Sequence, residues 1–218
     1  MKFERMCIMK KGIIFDMDGT LWDSAEQVAK AWNIAAAGFG YEYNITTEDI
    51  MAVMGKPMDE LADIIFKQKD IEVRNKLLQV CGDYENEYLR INGGTLYPEL
   101  RATMEKLKEM GYHLYIVSNC QDGYVQAFLN YHKLWEYFDD IEMSGRTGKC
   151  KGENIKMVIE RNNLDEAVYV GDTNGDLEAA DYAGIPFIYA KYGFGNVENQ
   201  KYILDSLCDI NTLISKIL

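Results

Sequence analysis

The sequence predicts an α/β protein: a doubly wound parallel sheet with a helical segment inserted after its first strand. Three observations predict it. Residues 12–15, 113–117, 167–171 and 186–190 are short apolar runs without strict polar alternation, the pattern of strands buried on both faces. Each of the last three follows a stretch of helical periodicity, as in a parallel sheet covered by helices. Between the first and second runs lie about ninety residues with no strand signal, too many for a simple crossover.

Taken in order, the first run ends abruptly at Asp16-Met17-Asp18-Gly19-Thr20, which reads as a strand followed by a glycine-containing turn. Ala25, Val28, Ala29, Trp32, Ala35, Ala36 and Phe39 then form an apolar helical stripe. Thr46 or Thr47 caps a second helix through Ile50, Val53 and Met54, stopped at Gly55 and Pro57. Leu77, Cys81, Tyr84 and Tyr88 form a further stripe. Residues 24–94 are therefore expected to be a helical subdomain, set between core segments 1–23 and 95–218. Leu100, Met104, Leu107 and Met110 mark a helix that stops at Gly111. Ile155, Val158 and Ile159 mark another before Leu164, and Leu177, Ala180 and Ala183 one that stops at Gly184.

Composition narrows the function. With 48% apolar and 27% charged side chains over 218 residues, the chain is too apolar to be disordered. The net charge of −12, with no Lys/Arg run, predicts that nucleic acid is not a partner. No stretch approaches the roughly 18 apolar residues of a membrane span. Met1-Lys2-Phe3-Glu4-Arg5 lacks the apolar run of a signal peptide. Five scattered cysteines (Cys7, Cys81, Cys120, Cys150, Cys208) without a C-x-x-C pair fit a reducing cytoplasm and are expected mostly as buried small hydrophobes.

Ligands of open α/β sheets bind outside the carboxyl ends of the strands. Three predicted strand ends carry polar groups there: Asp16-Met17-Asp18, Ser118-Asn119 and Asp172-Thr173-Asn174-Gly175-Asp176. Carboxylates two apart in extended chain share a side, so Asp16 and Asp18 are expected to face one pocket, with Asp172 completing a three-carboxylate cluster. Such a cluster calls for a hard cation, and oxygen-only ligands favour Mg²⁺ over zinc. The last segment also matches the start of an EF-hand loop, but Leu177 and Ala183 stand where that loop needs Gly and Glu.

Phe15-Asp16-Met17-Asp18-Gly19-Thr20-Leu21, Ser118-Asn119, a later lysine and Gly171-Asp172-Thr173-Asn174-Gly175-Asp176 together resemble the four motifs of the haloacid dehalogenase superfamily. Within it the chain is similar to the phosphoglycolate phosphatase and β-phosphoglucomutase branch, and its helical insertion resembles a type 1 cap, which implies a Rossmann-like core carrying a helical cap. The resemblance implies a Mg²⁺-dependent phosphatase acting on a small phosphorylated metabolite, with a phosphosugar mutase as the alternative and a non-catalytic acidic binding module as a remote one. Asp16 would be the nucleophile and Asp18 the general acid and base. Asp16, the backbone oxygen of Asp18, and Asp172 would hold the metal. Ser118 and Asn119 would bind phosphate. Asp176 would orient the lysine or a metal-bound water, or serve as a helix N-terminal acid. Where relatives carry Lys-Pro-x-Pro, this chain reads Lys149-Cys150-Lys151-Gly152-Glu153; Lys151 matches the family position better, and Lys149 stays open. Lys56 is read either as a cation for an acidic substrate or as a solvated surface lysine.

Overall fold

The computed structural model describes residues 9–68 and 70–218. The expectations for Met1–Arg5 and for Cys7 fall outside these residues. β1 (Lys11–Phe15) is followed by a short β2 (Trp22–Asp23) and by α1 (Ala25–Gly38), α2 (Thr47–Met51), α3 (Met58–Phe66) and α4 (Ile71–Asn92). β3 (Thr95–Leu96) then pairs antiparallel with β2 and closes the insertion at its base. The chain continues through α5 (Leu100–Glu109), β4 (His113–Ser118), α6 (Tyr124–His132), β5 (Asp140–Met143) and α7 (Ser144–Thr147). α8 (Lys151–Asn162), β6 (Glu166–Gly171), α9 (Asn174–Ala183), β7 (Phe187–Ala190) and β8 (Ile203–Leu204) complete it, before short terminal helical turns.

Among the described residues, six strands form one parallel sheet in the order β5-β4-β1-β6-β7-β8. β1 is central, with Phe15 in register with Ile116 of β4 and Val170 of β6. The chain leaves β1 towards both edges, so a crevice opens where its carboxyl end meets those of β4 and β6. Apolar side chains on both faces explain the unbroken apolar runs. Ile13, Phe15, Ile116 and Val170 pack with α5, α6 and the insertion, while Ile14, Val117 and Tyr169 pack against α8 and α9. The Tyr169 hydroxyl, buried in that second layer, donates to the Val117 carbonyl at 2.8 Å, whereas the Tyr115 hydroxyl in the same layer is buried with no partner among the described residues.

The insertion holds together through α1 and α4, with Trp32 stacked on Phe66 at a centroid distance of 5.3 Å. Thr46, not Thr47, caps α2: its hydroxyl accepts from Asp49 N while Asp49 accepts from Thr46 N. α2 stops at Met51 rather than reaching Met54. Val53 N bonds back to Ile50 O, three residues away, and the chain turns towards Gly55 at φ +81°. The α1 stripe is buried except for Phe39, which is exposed and stacks on Tyr41. On α4 the expected stripe is corrected. Tyr84 is exposed and lies against Tyr88, whereas Leu77, Cys81, Gly82, Glu85 and Leu89 face inward. A carboxylate occupies the place apolarity had assigned to a tyrosine.

β5, α6 and β8 have no counterpart in the sequence reading. Two of the four β5 residues are acids, Asp140 and Glu142, and both pair with Arg161 of α8 at this end of the sheet. Cys81 and Cys120 are buried as expected, but Cys150 is exposed and Cys208 only half-buried. Cys150 lies on the loop entering α8, where helix capping rather than core packing sets its position. Among the described residues no helix is long and apolar enough to cross a membrane.

Candidate active site

β1 and β6 place the first two carboxylates. The Asp16 amide donates to Val170 O at 2.8 Å, which extends the β1–β6 pairing by one residue and sets Asp16 beside the end of β6, from which Asp172 emerges. The loop after Asp16 then turns tightly, with Leu21 N bonding to Met17 O at 2.8 Å. Gly19 in this loop has φ +80°, and a side chain there would collide with the Asp172 carboxylate.

Lys151, the first residue of α8, is 4% exposed and reaches back to the sheet. Its Nζ donates to Asp16 Oδ1 at 2.9 Å and to Asp176 Oδ1 at 2.6 Å. Asp176 Oδ2 accepts from Thr173 N, Thr173 Oγ1 and Asp172 N, at 2.9, 2.7 and 3.2 Å. Asp176 thus caps α9 and holds the lysine at once, so both readings of that residue apply. Lys149 is exposed, and its hydrogen bonds among the described residues are made by its backbone, N to Thr147 Oγ1 at 3.1 Å and O from Asn154 Nδ2 at 3.3 Å. Of the two lysines, the geometry brings Lys151 to Asp16.

Asp172 Oδ2 accepts from Phe194 N at 2.7 Å and Gly195 N at 3.1 Å, while its Oδ1 is buried and has no partner among the described residues. Oxygens of Asp16, Asp172 and Asp176 lie within 4.8 Å of one another. Burial pushes the Asp16 carboxyl well above its ordinary range, with Lys151 pulling it down. Burial and then the Asp176 charge push Asp172 up to about 7. Burial works against the Lys151 charge, but Asp16 and Asp176 outweigh it and keep the ammonium protonated. Three crowded, dehydrated carboxylates against one lysine leave an excess of negative charge. An all-oxygen donor set with an unpartnered buried oxygen fits a hard divalent cation.

The expected cluster is Asp16, Asp18 and Asp172; the carboxylates that lie within 4.8 Å of one another among the described residues are Asp16, Asp172 and Asp176. The turn at Met17 ends the extended chain on which the same-side argument rested. Asp18 still lines one pocket with Asp16. Its Oδ1 accepts from Ser24 Oγ at 2.7 Å and Tyr124 OH at 2.9 Å. Burial raises its pKa to about 6, with those hydrogen bonds opposing the shift. Ser118 and Asn119, at the carboxyl end of β4, line the same pocket. Asn119 Nδ2 donates to Gly55 O at 2.9 Å, tying this end of the sheet to the turn after α2. Lys56 lines the pocket with a half-exposed side chain whose Nζ is 3.9 Å from Glu60. Ser24, Glu85, Gln121 and Tyr124 also belong to this pocket or its supports and were missed. Ser24 precedes a helix and reads as a cap, yet its hydroxyl goes to Asp18 instead of the helix.

A family model for haloacid dehalogenase-like hydrolases matches residues 13–190, a span that holds Asp16, Asp18, Ser118, Asn119, Lys151, Asp172 and Asp176. The chain is 28% identical to a phosphoglycolate phosphatase of Aliivibrio fischeri over 199 residues, covering 86% of this chain and 87% of that protein. It is 29% identical to a phosphoglycolate phosphatase of Aquifex aeolicus over 194 residues, covering 86% and 88%. A crystal structure of a predicted phosphatase from Clostridium acetobutylicum superposes with a TM-score of 0.79 at 27% identity, covering 96% of this chain and all of that one. The parallel sheet with helices inserted after β1, the carboxylates at its strand ends and the matching span agree: the chain belongs to the haloacid dehalogenase-like hydrolases.

Proposed function

We propose that the protein hydrolyses a small phosphorylated metabolite, as a phosphoglycolate phosphatase-like monoesterase with an aspartyl-phosphate intermediate. The observation that carries this is the unequal treatment of two neighbouring carboxylates. Asp16 is paired with a buried ammonium, as suits an ionised nucleophile. Asp18 has a pKa raised to about 6 and two hydroxyl partners, as suits a group that gives and takes a proton near neutrality.

In the first step an Asp16 carboxylate oxygen bonds to phosphorus and the phosphorus–oxygen bond to the leaving group breaks. The leaving alkoxide takes the Asp18 proton. In the second step Asp18 takes a proton from water, whose oxygen bonds to phosphorus as the Asp16–phosphate bond breaks, restoring both carboxyl groups. Lys151 holds Asp16 in place and offsets the charge that the phosphate brings beside it. Ser118 and Asn119 serve as phosphate donors. Asp16, the Asp18 backbone oxygen and Asp172 would hold Mg²⁺, which supplies further charge neutralisation when bound. Asp176 supports Lys151. Residues 24–94 act as a cap over the crevice, with 1–23 and 95–218 as the core.

Hydrolysis of p-nitrophenyl phosphate by the purified protein tests the reading. Turnover is expected with Mg²⁺, lost on chelation with EDTA and restored by excess Mg²⁺. An equal rate without metal would overturn the magnesium assignment, and no hydrolysis of any monoester would overturn the phosphatase. Phosphate transfer within glucose 1-phosphate that outpaces hydrolysis would favour the mutase instead.

A further inference from the structure

The monoesterase reading leaves open which alcohol the enzyme releases, and Glu85 bears on that question. Glu85 lies on α4, in the middle of the insertion, yet it lines the same pocket as Asp16 and Asp18 and is only 4% exposed. One of its oxygens is fully used: Oε2 accepts from Trp32 Nε1 at 2.7 Å and from Gln121 Nε2 at 3.1 Å. The other, Oε1, takes no hydrogen bond from any described residue and is not sealed off, since it is absent from the buried unpartnered atoms. The indole of α1 and the amide of the loop after β4 thus fix the carboxyl group from behind and leave one oxygen facing the pocket.

The rest of that wall offers little to an anion. Trp32, Ile50, Met54 and Leu61 are apolar, and among the described residues Lys56 is the only cation lining this pocket. Its Nζ lies towards Glu60 and the side chain is half-exposed, so its charge is screened. Burial, then the Asp18 charge, raise the Glu85 carboxyl to about 8, the opposing hydrogen bonds from Trp32 and Gln121 notwithstanding. A hydroxyl satisfies either protonation state: it accepts from the neutral acid and donates to the carboxylate. A carboxylate on the leaving group can be met only by the neutral acid, and it still faces Asp18.

We propose that Glu85 is a specificity-determining residue that selects phosphate monoesters of hydroxyl-bearing alcohols, polyol or sugar phosphates, over esters whose leaving group carries a carboxylate. The inference rests on the phosphatase reading, and it sets this chain apart from the named activity of the relatives at 28 and 29% identity.

The test compares kcat/KM for glycerol 3-phosphate, propyl phosphate and 2-phosphoglycolate, with p-nitrophenyl phosphate as a generic substrate. Assayed above pH 8, where Glu85 is ionised, the wild type should favour glycerol 3-phosphate over each of the other two by about tenfold or more, the worth of one hydrogen bond to a charged group. In the same assay above pH 8, Glu85→Gln should shrink the preference over 2-phosphoglycolate by a similar factor, since the wild-type carboxyl is then ionised and the amide carries no charge. A residue that only braced α1 against the core would instead lower all esters together and leave the ratios unchanged, which overturns the proposal. So does a wild-type preference for 2-phosphoglycolate, which needs no variant and therefore decides even if Glu85→Gln does not fold. Turnover of p-nitrophenyl phosphate with the wrong ester order would fail this inference alone. No turnover of any of the four would fail the phosphatase reading and this inference with it.

Discussion

At the strand ends, beside the pocket that Asp16 lines, Asp16, Lys151, Asp172 and Asp176 hold one another through contacts of 2.6 to 3.2 Å, and every one of them is buried. The facing side is Trp32, Ile50, Met54 and Leu61, with one buried carboxylate, Glu85, among them. The first wall is polar, self-supporting and anchored at the ends of β1 and β6, where the register is set by backbone pairing. The second comes from four helices and a turn, and its polar contacts to the sheet side run through Asn119 to Gly55 and Gln121 to Gly82, Glu85 and Asn86. Fixed charges on rigid strand ends suit chemistry common to many substrates, and helices on a separate segment can vary without disturbing it. Substitutions on the two sides should therefore differ in kind: loss of rate for all esters on one, a change of preference among esters on the other.

The largest effect belongs to Asp16→Asn. Removing the attacking carboxylate should cut kcat on the order of 10⁴-fold or more for every ester. Circular dichroism checks that the chain still folds, and substantial residual turnover would place the nucleophile elsewhere. Asp18→Asn comes next and is graded by the leaving group: about 10²- to 10⁴-fold for alkyl phosphates, less for p-nitrophenyl phosphate, whose phenolate needs little protonation. Equal losses on both would remove Asp18 as the general acid.

Lys151→Ala should lower kcat/KM by on the order of 10²-fold across the ester panel, the loss expected for one preorganised electrostatic donor. It also leaves Asp16 and Asp176 buried without their cation, so a lower Tm in thermal melts should accompany the loss.

The facing wall should show itself in stability against pH. Glu85 has a folded-state pKa raised from 4.5 to about 8, mainly by burial. A carboxyl that binds its proton more tightly when folded stabilises the fold fully at low pH, and that contribution is lost as pH rises from about 4.5 through about 8. Glu85→Gln cannot ionise, so its Tm should fall less over that range than the wild type's. Parallel curves would mean that Glu85 ionises in the folded protein as readily as in the unfolded chain. The smallest effect is expected at Lys149, whose exposed side chain should make Lys149→Ala change kcat/KM by no more than a few-fold in the same assays.

Legibility followed the same division. The strand ends were readable because an apolar run that stops at Asp or Ser needs only local information: the run is a buried strand, and the polar residue after it must sit at the sheet's edge. Hence Asp16, Asp18, Ser118 and Asn119 line one pocket at the strand ends, and Lys151, the lysine immediately ahead of α8, reaches Asp16. Which carboxylates gather is not legible in the sequence because the turn at Met17 swings Asp18 towards Ser24 and Tyr124, residues 6 and 106 positions away. β5 was missed because its two acids look solvated until Arg161 of another element is beside them.

By itself the sequence determined the fold class, the helical insertion and the strand-end residues, because hydrophobic periodicity and turn chemistry act over a few neighbouring positions. Only the tertiary structure decided that Lys151 bridges Asp16 and Asp176, that Asp176 rather than Asp18 joins the cluster, and that Glu85 rather than Tyr84 faces inward. Each of those depends on a buried charge finding partners far along the chain, here 135 positions for Lys151 with Asp16 and 53 for Trp32 with Glu85. A buried carboxylate is tolerable only once such donors are in place, and local pattern carries no record of them.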